Sequence, residues 1–152
     1  MKVVTTNSEL ETIELGKKIG NIFKGRHVVF LLDGDLAAGK TTLTKGIAKG
    51  LGITDVIKSP TFTIMKEYEN DEAKLYHLDL YRLIDIGLDF DLEEYVFDKD
   101  SFVVIEWPYQ VVDLLPDNYI LVKIEGNLNN RTFKFSSPNE MYEKEINEIW
   151  KF

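Results

Sequence analysis

The 152-residue chain has no cysteine, which excludes disulfides, zinc–thiolate sites and thiol nucleophiles. Arginine is nearly absent too: Arg26, Arg82 and Arg131 are all there are. With 26 acidic against 18 basic residues the formal charge is −8. That balance argues against a broad nucleic-acid surface, which needs many Lys and Arg along one face. Acidity leaves room for a basic protein partner, and it serves solubility equally well. No apolar run approaches the ~20 residues of a membrane span, and Met1 to Glu9 lacks the apolar core of a signal peptide. A cytosolic location away from membranes is therefore expected. Repeats, low-complexity tracts and Pro/Ser-rich linkers are missing as well, so one domain covering 1–152 is expected.

What is present is more specific. Gly34-Asp35-Leu36-Ala37-Ala38-Gly39-Lys40-Thr41 reads G-x-x-x-x-G-K-T, the P-loop pattern, whose glycines let backbone N–H groups close around a phosphate chain. Lys40 would reach the β- and γ-phosphates of ATP, and the Thr41 hydroxyl would hold Mg²⁺. The setting agrees. His27 to Asp33 is an apolar run typical of a strand buried on both faces. After the loop, Leu43, Ile47, Ala48 and Leu51 recur at helical spacing, with Gly50 and Gly52 near the stop.

Along the rest of the chain, Ser8 to Phe23 reads as a helix capped by Ser8, with Leu10, Ile13, Ile19, Ile22 and Phe23 as its apolar residues. Residues 61–79 read as a hairpin turning at Asn70-Asp71-Glu72, and 81–98 as two short helices. Ser101 to Glu106 is a further buried strand. Tyr119 to Ile124 and Arg131 to Phe135 would pair around Gly126 to Asn130. Asn139 to Lys151 suits a terminal helix with Met141, Ile146, Ile149 and Trp150 as its apolar residues. Strands alternating with helices around a P-loop predict an α/β fold, a three-layer α/β/α P-loop sandwich on a central mixed, partly parallel sheet.

Hydrolysis needs an acid near Mg²⁺ and a group that positions water. Phe102-Val103-Val104-Ile105-Glu106 is four apolar residues ending in a carboxylate, the Walker-B form, which makes Glu106 the metal-side acid. Asp79 ends another strand and is the candidate for orienting the attacking water. Either acid could instead cap the next helix. Thr61, in Ser59-Pro60-Thr61-Phe62-Thr63, stands where P-loop proteins carry a segment that senses the γ-phosphate; it could equally be a threonine opening a strand. His77 reads as a packed strand histidine, because P-loop hydrolysis needs no imidazole base. Trp107 could line the site or belong to the core.

Four ordered blocks together resemble the TsaE family (older name YjeE), small bacterial P-loop ATPases needed to make threonylcarbamoyladenosine in tRNA. They are Gly34 to Thr42, Ser59 to Thr63, His77-Leu78-Asp79-Leu80-Tyr81-Arg82, and Glu106-Trp107-Pro108. The resemblance implies that the Gly34 to Thr42 loop holds ATP, that Thr41 and Glu106 share Mg²⁺, that Asp79 is catalytically essential, and that Arg131 lies near the nucleotide. It also implies two partner proteins, TsaD and TsaB, with tRNA met only through their complex and ATP hydrolysis resetting that complex between turnovers. One position departs from the pattern: the family usually has Gly where this chain has Ala37, and at φ > 0 alanine would cost up to ~1–2 kcal/mol.

A small-molecule P-loop kinase would share the loop and the α/β core, yet it would normally add basic groups to clamp the transferred phosphoryl. Arg82 and Arg131 make a thin clamp. A GTPase would carry N-K-x-D to read its base, and Asp98-Lys99-Asp100 lacks the asparagine.

Overall fold

The computed structural model describes residues 2–34, 39–55, 57, 65–79, 98–106, 115–127 and 129–149. Seven strands form one mixed sheet: β1 (Lys2–Thr6), β2 (Val28–Gly34), β3 (Met65–Glu69), β4 (Lys74–Asp79), β5 (Ser101–Glu106), β6 (Ile120–Gly126) and β7 (Arg131–Ser136). Their order is β1-β7-β6-β2-β5-β4-β3. The four middle strands, β6, β2, β5 and β4, run parallel, and β7, β1 and β3 pair antiparallel at the flanks. This arrangement explains the continuous apolar runs. Phe30, Leu31 and Leu32 of β2 and Val103, Val104 and Ile105 of β5 are buried on both faces of the sheet, as parallel strands between two layers must be.

One face carries Phe30, Leu32, Leu75, Phe102 and Val104 in a core shared with the helices α1 (Glu9–Phe23), α2 (Lys40–Gly50) and α3 (Glu143–Ile149). Phe23 of α1 sets its ring edge-on against Phe30 at 5.7 Å and Phe102 at 6.2 Å, and the latter two stack at 5.0 Å. Such pairs add about 0.5–1.5 kcal/mol each beyond burial. The opposite face, with Val29, Leu31, Tyr76, Leu78, Val103 and Ile105, is equally buried. The two helices expected over 81–98 fall almost wholly outside the described residues.

The helix over 8–23 forms as expected, with the Ser8 hydroxyl accepting from the Glu11 N–H at 3.1 Å. Its buried stripe is different. Thr12, Leu15, Gly16, Ile19, Gly20 and Phe23 face inward, whereas Leu10 is 75 % exposed, because at 3.6 residues per turn it points nearly opposite that stripe. Gly16 and Gly20 meet Gly46 and Gly50 of α2: a Cβ on Gly16 would overlap the Leu43 carbonyl oxygen, and one on Gly46 the Ile13 carbonyl oxygen. Only hydrogen side chains allow backbones this close.

The strand β1 was not expected, although Val3 to Thr6 are all β-branched; it pairs with β7, and its Thr6 hydroxyl bonds that of Thr12 at 2.7 Å. At the other end the terminal helix is shorter than predicted. A 3₁₀ turn over Pro138–Glu140, left through Glu140 at φ 56°, delays the α-helix to Glu143 and leaves Met141 55 % exposed while Ile146 and Ile149 are buried.

Candidate functional site

In a parallel sheet the strands finish along one edge, and ligands bind in the crevice beyond those carboxyl ends. The register puts three predicted residues there. Asp79 ends β4 beside Glu106 at the end of β5, and Leu32 of β2 pairs with Glu106, so Gly34 leaves the sheet two residues further on. Alternation along β4 and β5 turns His77, Asp79, Val104 and Glu106 toward the face on which α2 packs.

The loop from Gly34 delivers the chain to α2. Gly39 is its N-cap at φ 100°, ψ 21°, a left-handed conformation that favours glycine. Lys40, Thr41 and Thr42 form the first turn and are half-buried. The Thr44 hydroxyl bonds the Lys40 carbonyl at 2.9 Å and helps fix that turn. The uncapped N–H groups and the helix dipole give this end its affinity for anions. Asp35, Leu36, Ala37, Ala38 and Thr61 lie outside the described residues, as does Trp107.

Arg131 reaches the same place by topology. It opens β7, which runs antiparallel to β6 with Gly126 opposite Arg131, so its start lies at the carboxyl edge of the parallel strands. The guanidinium packs against Gly39 so closely that a Cβ there would stand 2.6 Å from one of its terminal nitrogens. Its Nε–H donates to the Asn127 carbonyl at 3.1 Å. The residue is 2 % exposed, and Nη1 finds no hydrogen-bond acceptor among the described residues. A buried guanidinium nitrogen left open beside a helix N-terminus fits an anionic ligand.

Lys40, Asp79 and Glu106 interact electrostatically. Burial pushes the Glu106 carboxyl up to about 7, the Lys40 charge pulls it back, and the negative charge of Asp79 adds to the rise. His77 beneath them is fully buried, and burial with Lys40 lowers its pKa to about 3. Its Nε2 stands 3.9 Å from Glu106 Oε1. Because the ring is neutral, that approach is not an ion pair. A carboxylate strained by burial and a like-charged neighbour would ionise readily only beside a cation, and carboxylate with hydroxyl oxygens suits Mg²⁺. The donor set of Thr41 and Glu106 fits the ion.

Comparison with known proteins decides the family. The model for "Threonylcarbamoyl adenosine biosynthesis protein TsaE" matches residues 6–133. The chain belongs to the TsaE family. It is 42% identical over 123 residues to the tRNA threonylcarbamoyladenosine biosynthesis protein TsaE of Bacillus subtilis, covering 80% of this chain and 77% of that one. The TsaE of Haemophilus influenzae is 41% identical over 123 residues, 77% of each chain. The crystal structure of Bacillus subtilis YdiB superimposes with a TM-score of 0.77 at 32% identity, over 97% of this chain and 93% of that chain. The seven-stranded mixed sheet is thus the fold of a solved relative. No helix among the described residues is long and apolar enough to cross a membrane.

Proposed function

We propose that this TsaE family member binds and hydrolyses MgATP and acts in threonylcarbamoyladenosine modification of tRNA together with TsaD and TsaB. The observation that carries the reading is the convergence of Gly39, Lys40, Asp79, Glu106 and Arg131, from three strands and a helix, on one edge of the sheet. Lys40 and the first-turn amides of α2 bind the β- and γ-phosphates. The open nitrogen of Arg131 donates to the same phosphate chain from the far side of Gly39. Thr41 and Glu106 would hold Mg²⁺, which when bound would supply charge neutralisation to the phosphate chain. Asp79 accepts from the attacking water and aims it, and Thr61, outside the described residues, is the candidate to sense the γ-phosphate.

The family's descriptions support a place in tRNA modification. The charge of −8 supports contact with tRNA through protein partners, since direct binding would need a basic track. Turnover alone is expected to be slow, and a partner that excludes water from the site is expected to change it. Calorimetric titration with ATP, with and without Mg²⁺, tests the binding, and phosphate release without any acceptor tests the hydrolysis. Release is expected to change when TsaD and TsaB are added and to ignore tRNA added alone. Phosphate transfer that requires a small-molecule acceptor would favour a kinase instead.

A further inference from the structure

Among the described residues, His77 is a buried polar side chain beside the site that this chemistry leaves idle. It is fully buried, and neither ring nitrogen has a hydrogen-bond partner among the described residues. Its companions on that face of β4 and β5 are Leu75, Phe102 and Val104, where a leucine would pack without the cost of desolvating an imidazole. Such a group calls for an explanation, and its position offers one. Two residues before Asp79 and directly beside Val104, the ring lies one step beneath the pair of carboxylates, with Nε2 3.9 Å from Glu106 Oε1. A hydrogen bond there needs the two atoms to close to about 3.2 Å or less.

Building on the MgATP reading, we propose that His77 is a positioning residue for the metal-side carboxylate: its Nε2–H donates to Glu106 and fixes which oxygen faces the cation. Metal-binding carboxylates are commonly held by such an outer partner, and its loss weakens metal binding 10- to 100-fold. An imidazole can offer that N–H without the counter-charge that a lysine or arginine in so apolar a place would need.

The test compares ADP affinity with and without Mg²⁺, by calorimetry at about pH 8, for the wild type, His77→Leu and His77→Gln. The Mg²⁺-dependent gain should fall about tenfold or more in His77→Leu. It should be kept within about threefold in His77→Gln, whose amide N–H can replace Nε2–H, and the Mg²⁺-free affinity should not change. An undiminished gain in His77→Leu, or a gain lost equally in His77→Gln, overturns the proposal. Failure of the wild type itself to bind ADP would remove the MgATP reading beneath it, a result distinct because all three proteins then fail alike. Nitrogen-15 spectra of the unliganded wild type provide a check that needs no variant: the proton should reside on Nε2, and a Nδ1–H tautomer refutes the assignment.

Discussion

Replacing Glu106 with glutamine should stabilise the ligand-free protein above neutral pH even as it removes the cation dependence of nucleotide binding. Glu106 ordinarily would titrate at 4.5, and burial, aided by Asp79 and resisted by Lys40, pushes it up to about 7. The folded protein thus holds this proton more tightly than the unfolded chain. The associated stability is fully present below the ordinary value and is lost as pH rises through the folded one, amounting to about 3 kcal/mol at pH 8. His77 works in the opposite sense. Its folded pKa of about 3 lies below its ordinary 6.5, so its contribution is present above 6.5 and lost as pH falls. Where these ranges overlap, from 4.5 to 6.5, the two slopes oppose each other in the wild type, and the difference between wild type and Glu106→Gln isolates the glutamate. Urea denaturation of both proteins from about pH 5 to about pH 8.5, without Mg²⁺, measures it. The glutamine variant should gain on the wild type steadily with pH, by up to ~3 kcal/mol. A flat difference, or a wild type that is the more stable at pH 8, would refute the reasoning.

Lys40→Ala should fold normally and bind a fluorescent ATP analogue at least ~100-fold more weakly, since charge-assisted bonds to phosphate are worth about 1.5–3 kcal/mol each. Asp79→Asn should keep MgATP affinity within a few-fold while phosphate release slows by about 10²-fold or more; parallel losses in both would mean that Asp79 holds the nucleotide. Arg131→Gln should weaken ADP binding about tenfold, as judged by calorimetry, with an unaltered circular dichroism spectrum. Gly46→Ala tests the helix seam: alanine alone favours a helix by up to ~1 kcal/mol, but overlap with the Ile13 carbonyl should reverse the sign and lower stability by about 1–3 kcal/mol. A raised melting temperature would show that α1 and α2 have room to spare.

The parts of this molecule visible in one dimension are those whose signal is local. Val28 to Leu32 and Phe102 to Ile105 announce doubly buried strands because every residue is apolar, and Gly39 marks the start of α2 because its left-handed backbone restricts residue type. Glu106 and Asp79 could be chosen because each follows an apolar strand run. Arg131 could not be placed from its neighbours, since only the antiparallel return of β7 carries it to Gly39. Leu10 and Met141 are apolar yet exposed for related reasons: helical phase in one case and a late helix start in the other turn them outward. The histidine at 77 looked like ordinary packing, and its orphaned nitrogens emerge only when the strands are assembled.

The seating of β7 between β1 and β6 bears on how the chain comes off the ribosome. Residues 2–6 are made well before residues 131–136, with which they pair, so during synthesis β1 waits for β7. Until then β6 also lacks a neighbour on that side, and its unpaired edge is open to other chains. Such long-range closure is slow. The residue that opens the arriving strand is Arg131, so on the proposed reading sheet closure would also complete the anion site. Nucleotide supplied during refolding should therefore favour the closed sheet over chains still carrying an open edge, and bound ligand would report that a molecule has finished folding.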